Sequence, residues 1–152
     1  MTGAEAAPIV RPADERDCQA VAELLRAAGL PLAGVHPALT GFYVAEERGR
    51  VLGAVGLEVH GEDGLLRSAV VDPTARGAGL GLTLVDRILR HAHERGLGAV
   101  YLLTTTAEGY FPRFGFTRIA REEVPDPVQA SVEFREACPA SAVAMRKLVS
   151  GR

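Results

Sequence analysis

The chain has 152 residues, a formal net charge of −2, and 17 Lys and Arg set against 19 Asp and Glu. Charge so evenly mixed provides no basic face for nucleic acid, and no apolar run approaches the roughly 18–20 residues that cross a bilayer. Cys18 and Cys138 make no disulfide framework, and no Cys/His cluster has zinc spacing, so no metal centre is expected.

A chain of this length buries roughly two-thirds of the surface it exposes when unfolded, enough for one core. No repeat, low-complexity stretch or interdomain linker divides it. Residues 1–7 read as a flexible Ala-rich tail and 8–150 as a single domain. Met1 to Pro8 lacks the basic-then-apolar signature of a secretory signal. The expectation is a soluble, cytoplasmic protein.

Ile9 to Arg11 suits a short first strand. Asp14 is a helix N-cap candidate, followed by Cys18, Val21, Leu25 and Ala28 at helical spacing up to Gly29. Leu30 to Thr40, with Pro31, Gly34 and Pro37, reads as an irregular connection with room for one helical turn. Phe42 to Glu46 and Val51 to His60 form a hairpin about Arg48-Gly49. A turn at Gly61 to Gly64 leads into an apolar strand, Leu65 to Val71. Beyond it Leu84, Val85, Ile88, Leu89 and Ala92 line one face of a helix that stops at Gly96. Then follow a strand from Val100 to Thr105, a helix near Ala107 to Phe114, a short helix around Pro127 to Glu136, and a last strand, Ala142 to Leu148. The order β-α-β-β-β-α-β-α-β is a mixed α/β unit.

Between the fourth strand and its helix lies Arg76-Gly77-Ala78-Gly79-Leu80-Gly81. A strand, a glycine-rich turn and a helix N-terminus make an anion site: glycines let backbone approach a phosphate, and unpaired first-turn N–H groups point at it. A phosphorylated cofactor is expected. The loop lacks the Gly-Lys-Ser/Thr ending of a P-loop, and its glycines are too closely spaced for a dinucleotide fingerprint. Downstream, Phe111 and Phe114 are aromatic anchors before Gly115-Phe116.

Arg-x-x-Gly-x-Gly after a Val-x-Pro strand end, followed by an aromatic-x-x-x-Gly-Phe pattern at Phe111 to Phe116, resembles the GNAT superfamily of acyl-CoA-dependent N-acetyltransferases. The resemblance runs from about Ile9 to Leu148, and the element order above is that of the GNAT fold. The Thr-Thr-rich strand end and the two aromatics are similar to the acetyltransferase domain of N-acetylglutamate synthases. Gly56-Leu57-Glu58-Val59, Leu65-Leu66-Arg67-Ser68, the Thr-Thr-Thr-Ala-Glu run and Cys138-Pro139-Ala140-Ser141-Ala142 look most like small acetyltransferases of bacterial arsenic-resistance operons.

The resemblance implies acetyl-CoA as co-substrate, a small-molecule amine as acceptor, and a fourth strand splayed from the fifth. Pantetheine would lie in that gap against Ala69, Val70 and Val71, whose backbone would polarise the acetyl carbonyl. Arg76, Gly77, Ala78, Gly79, Leu80 and Gly81 would hold the pyrophosphate, with Thr105, Phe111 and Phe114 as a cofactor wall. The tyrosine that often serves as acid in this family is Phe111 here. Tyr110, one residue earlier and roughly 100° away on an α-helix, replaces it only if the helix is irregular; Thr104, Thr105 and Ser141 are alternatives for stabilising the thiolate. The usual strand-four glutamate is also missing. Glu58, on the same face as His60, is the candidate base, acting through water, or else an ordinary partner of Arg67. Arg67 interrupts an apolar strand, and with Ser68 it is the candidate substrate contact. It either pairs with Glu58 or grips a substrate carboxylate, as an amino-acid-like acceptor would offer. Cys138 is read as structural rather than arsenic-binding. A homodimer is compatible with the apolar last strand. A protein N-acetyltransferase and a catalytically weak acetyl-CoA sensor are the rival readings.

Overall fold

The computed structural model describes residues 8–36, 39–77, 79–131, 134 and 141–149. Phe42 and Val44 are buried on one face of their strand, and Tyr43 and Ala45 on the other. Strands with that near-continuous apolar character belong in a sheet covered on both sides. Seven strands make one sheet: β1 Ile9–Pro12, β2 Phe42–Glu47, β3 Arg50–His60, β4 Asp63–Val71, β5 Ala99–Thr104, β6 Thr117–Ile119 and β7 Val143–Leu148. Their spatial order is β1-β2-β3-β4-β5-β7-β6. Helix α1 (Cys18–Ala28) covers one face, α2 (Leu80–Glu94) the other, and α3 (Asp126–Gln129) is a single turn near the carboxyl end. Among the described residues no helix is long and apolar enough to cross a membrane.

The predicted spacing places Leu84, Val85, Ile88 and Ala92 of α2 against Leu52, Val55 and Leu57. On the opposite face Val21, Leu24 and Leu25 of α1 meet Phe42, Val44, Ala54 and Val70. Beyond α1, Val124, Val128 and Phe134 cover Leu65, Ala99, Tyr101 and Ala144. Each buried Val, Leu, Ile or Phe among them contributes about 1.5–3 kcal/mol.

Pairing along the middle of the sheet shapes the site. β4 and β5 run parallel and pair only at Asp63↔Ala99, Gly64↔Val100 and Leu65↔Tyr101; beyond Leu65 they part. On its other flank β4 pairs with β3 at Ala54↔Val70 and Gly56↔Arg67, so Ser68 and Ala69 together face Val55. This is a β-bulge, and Ser68 within it has φ +61°.

Several local expectations change. Asp14 caps not α1 but a 3₁₀ turn, Glu15–Asp17, ahead of it: Asp14 accepts the Arg16 N–H, and Asp17 accepts the Asp14 N–H. The predicted helix at Ala107 to Phe114 is a 3₁₀ turn over Phe111–Phe114 alone. Pro112 cannot donate within a helix, and Gly115 ends the turn at φ +95°. The helix predicted for Pro127 to Glu136 ends at Gln129; residues 132, 133 and 135–140, Cys138 included, lie outside the described residues, as do residues 1–7 and Ala78. The predicted order also omits β6, three residues too short to show alternation, which pairs with β7 through Thr117↔Arg146 to Ile119↔Ala144.

On α2, His91 packs its ring edge-on to Tyr43, with Nδ1 3.2 Å from the Tyr43 hydroxyl. Burial, with Arg95 and Arg87 nearby, holds its pKa below the ordinary 6.5, and Glu94 opposes them weakly. The unfolded chain therefore binds this proton more readily. The associated stability is fully present above about pH 6.5 and is lost as pH falls through the folded value. Thermal melts between about pH 7.5 and pH 5.5 should show Tm falling with acidity, and His91→Gln should flatten that slope. Equal slopes would exclude His91 as the source.

Candidate active site

β4 ends at Val71, and Asp72 organises the exit. Its Oδ1 accepts the N–H (2.8 Å) and hydroxyl (2.7 Å) of Thr74, and its Oδ2 lies 3.2 Å from the Arg50 guanidinium. The Thr74 bonds are the main cause of an Asp72 pKa below the usual carboxylate range. Gly77 and Gly79 follow at φ +91° and +76°, a conformation that penalises any side chain. A Cβ on either would meet nothing within 4 Å, so it would project into an open cradle. Gly79 caps α2 without a side chain, and the first helical bond runs from the Thr83 N–H to the Gly79 carbonyl at 3.1 Å. The N–H groups of Leu80, Gly81 and Leu82 thus precede the intrahelical ladder. They border a cleft of about 320 Å³ shared with Ala69, Val70 and Val71. An anionic diphosphate suits that cradle of donors at a positive dipole end.

The gap between β4 and β5 is a second cleft, of about 390 Å³. Leu66 to Val71 form one wall, Leu102 to Thr106 the other, and Gly29 to Pro31 approach from the end of α1. Tyr110 borders both clefts. A Cβ on Gly81 would stand 2.9 Å from the Tyr110 hydroxyl, so that hydroxyl lies against the start of α2. Phe111 turns inward: it is buried in the main core, 5.7 Å from the Phe116 ring, and reaches only the β4–β5 cleft. The irregular turn that the sequence made a condition for Tyr110 is present. Burial pushes the Tyr110 phenol above its ordinary pKa of 10, against the opposing charge of Arg113, whose guanidinium stacks 4.4 Å over the ring. Phe114 is half-buried against Tyr110 at 5.5 Å. Thr105 is exposed on the cleft wall, Thr104 caps the following turn by accepting the Ala107 N–H at 2.9 Å, and Ser141 lines a separate cleft beside β6.

Arg67 lies in the wall of the β4–β5 gap with a fully buried side chain. Its Nε donates to Ser68 Oγ (3.1 Å), and its guanidinium reaches Glu58 Oε2 (3.0 Å) and the Pro31 carbonyl (3.3 Å). The other Glu58 oxygen is 2.8 Å from His60 Nε2. Arg67, Glu58 and His60 therefore form one chain of contacts. Glu58 is not among the residues lining either cleft: it holds Arg67 from behind. Sequence reasoning missed the contribution of Gly29 to Pro31, because an irregular segment has no period to read, and missed the Arg50–Asp72 pair, because long-range ion pairs leave no local signal.

Residues 38–118 match the acetyltransferase (GNAT) domain family model. The chain is 37% identical over 141 residues to an amino-acid acetyltransferase of Mycobacterium tuberculosis, covering 86% of this chain and 78% of that protein. It is 36% identical over 105 residues to a mycothiol acetyltransferase of Cellulomonas flavigena, of which it spans only 30% of the length. The crystal structure of Rv2747 from Mycobacterium tuberculosis in complex with CoA and NLQ superimposes with a TM-score of 0.78 at 28% identity, over 93% of this chain and 99% of that one. N-acetylglutamate synthase from Neisseria gonorrhoeae, complexed with coenzyme A and N-acetyl-glutamate, shares the fold at a TM-score of 0.80 and 21% identity, over 95% of this chain and 36% of that one. With this fold, the glycine loop at the head of α2 and the parted β4 and β5, the chain belongs to the GNAT acetyltransferases, enzymes whose acetyl donor is acetyl-CoA.

Proposed function

We propose that this acetyltransferase acts on the amine of a small amino acid or analogue bearing an anionic group, by direct transfer in a ternary complex. The observation that carries this reading is the lining of the β4–β5 cleft. Among the described residues Arg67 and Arg76 are its charged side chains and no Asp or Glu lines it; Glu58, behind the wall, balances Arg67, so the field comes chiefly from Arg76. A carboxylate-bearing acceptor is favoured in such a field, and a polyamine or lysine side chain is repelled. The likeness to an amino-acid acetyltransferase along 86% of the chain supports the same class.

Bound acetyl-CoA supplies the acetyl group as an activated thioester. The loop from Gly77 to Gly81 would hold its pyrophosphate. Beyond Leu65 the β4 backbone has no β5 partner, so Ala69, Val70 and Val71 would pair with an extended ligand as an added strand does. Arg76 contributes the positive field that orients the acceptor's carboxylate; Arg67, balanced by Glu58, lines the cleft wall as a fixed guanidinium whose Nε is held by Ser68. Tyr110, whose phenol keeps its proton at neutral pH, is the proposed donor to the departing sulfur. Glu58 is proposed as a positioning residue, since both its oxygens are engaged by Arg67 and His60. The acceptor amine then enters in its neutral form, drawn from its own acid–base equilibrium. Its nitrogen bonds the acetyl carbon as the carbon–sulfur bond breaks, and the proton it sheds replaces the one that Tyr110 gives to the sulfur. The arsenic-operon resemblance adds one finer proposal, an amino-acid-like arsenical as acceptor.

Calorimetric titration with acetyl-CoA should give affinity in about the micromolar range, and Gly79→Trp should abolish it; a folded wild type that binds nothing would sink the reading. In an acceptor screen, acidic amino acids should be acetylated ahead of amines lacking an acid group and ahead of peptide N-termini. Preference for peptides would favour the protein N-acetyltransferase instead, and tight acetyl-CoA binding without turnover would favour a sensor. Tyr110→Phe should lower kcat by about 10²-fold while the acetyl-CoA Kd stays within about twofold; unchanged kcat would remove Tyr110 as the acid. For the buried pair, Glu58→Leu alone should destabilise the fold by about 3 kcal/mol because the Arg67 charge loses its counter-ion. Arg67→Met in the same chain should restore most of that loss in urea unfolding, whereas simple additivity of the two losses would show the pair to be uncoupled.

A further inference from the structure

Coenzyme A carries a third phosphate, on the ribose 3′-oxygen, one sugar away from the pyrophosphate. The donors of the glycine loop answer only the pyrophosphate. Next to that loop, on the side of the β2–β3 turn, lies another cleft of about 560 Å³. It shares Ala75, Arg76 and Leu80 with the cofactor cleft, so the two adjoin. Its charged lining is Arg48, Arg50 and Arg76 against Glu47, an excess of two positive charges. A phosphate monoester carries about −1.5 to −2 at neutral pH, which this excess matches.

Arg50 is the residue best placed to use that charge. It opens β3 opposite Glu47, and its side chain is 63% exposed. Its pairing with Asp72, at 3.2 Å, engages an oxygen of a carboxylate already committed through its other oxygen to Thr74. An exposed pair of this kind is readily re-formed around a stronger anion, and a guanidinium presents a planar fork of donors that fits a phosphate. The tie to Asp72 also keeps Arg50 near Arg76, four residues further along the chain. On the opposite side of the loop Arg113 is already engaged: it stacks on the Tyr110 ring and donates to the Tyr110 carbonyl at 2.7 Å.

We propose that Arg50, together with Arg76, forms a subsite for the ribose 3′-phosphate of the coenzyme, so that the enzyme distinguishes coenzyme A from its 3′-dephospho form. This rests on residues 77–81 being the pyrophosphate loop. The test is calorimetric titration of the wild type, Arg50→Gln and Arg90→Gln with coenzyme A and with 3′-dephospho-coenzyme A. Arg90 is an exposed arginine on α2 paired with Asp86 and outside every cleft named above, so its variant controls for the loss of one charge.

The wild type should bind coenzyme A about tenfold or more tighter than the dephospho form, the effect of one charge-assisted hydrogen bond. Arg50→Gln should bind both ligands alike while its affinity for the dephospho form stays within about twofold of wild type. Arg90→Gln should keep the wild-type ratio. Equal affinities in the wild type, or an undiminished ratio in Arg50→Gln, would overturn the subsite while leaving the loop assignment intact. A folded wild type that binds neither ligand would overturn the loop assignment and the subsite with it.

Discussion

The parting of β4 from β5 is the constraint on which the rest of the molecule turns. All six residues of β5 pair with β7, from Ala99↔Leu148 to Thr104↔Val143, so β5 is carried along with that antiparallel partner. β4 is held on its other flank by β3. Each strand follows its better neighbour, and the parallel contact between them survives only at their beginnings. The bulge at Ser68 and Ala69 strengthens the divergence, because an extra residue bends the strand that holds it. A serine at φ +61° costs of order 1 kcal/mol. The Arg67–Ser68 hydrogen bond helps to offset it. A gap in the middle of a sheet leaves backbone groups unsatisfied on both sides, which is why an extended, amide-bearing ligand is the natural occupant.

Much of this was legible in the sequence where a residue type is required by local geometry. Gly77 and Gly79 occupy left-handed positions that almost any other residue would strain, and the apolar spacing of α2 matches its buried face at Leu84, Val85, Ile88 and Ala92, with Leu89 partly buried beside them. The partners of Arg67 were a different matter. Glu58 and Arg67 meet because Glu58 pairs with Leu65 and Gly56 with Arg67, a diagonal that follows from the His60↔Asp63 register of the β3–β4 turn. Whether such a diagonal pair closes depends on burial and on the neighbours of the long arginine side chain, so the sequence left pairing and substrate binding equally open. β6 was illegible for another reason. Its edge position and exposed residues give it no apolar signature, and β7 supplies its pairing.

The aromatic turn shows how one residue's displacement is absorbed by backbone geometry. On an α-helix Tyr110 and Phe111 would stand roughly 100° apart; in a tighter 3₁₀ turn the separation is nearer about 120°. Phe111 fills the core against Phe116, and that fixes Tyr110 on the opposite side, facing the clefts. The polar tip absent from Phe111 thereby reappears at the head of α2 from the neighbouring position. Stacking by Arg113 and edge contacts with Phe111 and Phe114 hold the ring there.

Net charge and local charge point in opposite directions in this protein, and the local arrangement governs ligand binding. A chain of net −2 repels anions at long range, and that repulsion is screened within about 8 Å at physiological salt. Closer in, several carboxylates are paired away from the clefts: Asp14 with Arg16, Asp17 and Glu46 with Arg11, Asp86 with Arg90. Arg76 borders the glycine-loop cleft, the β4–β5 gap and the cleft beside the β2–β3 turn. The Gly79-capped end of α2 adds its dipole to the loop. On the proposed function, cofactor phosphates and an acceptor carboxylate would be attracted to adjoining clefts for the same electrostatic reason. The acceptor's amine would then be carried into the gap with its carboxylate, beside the splayed backbone of β4.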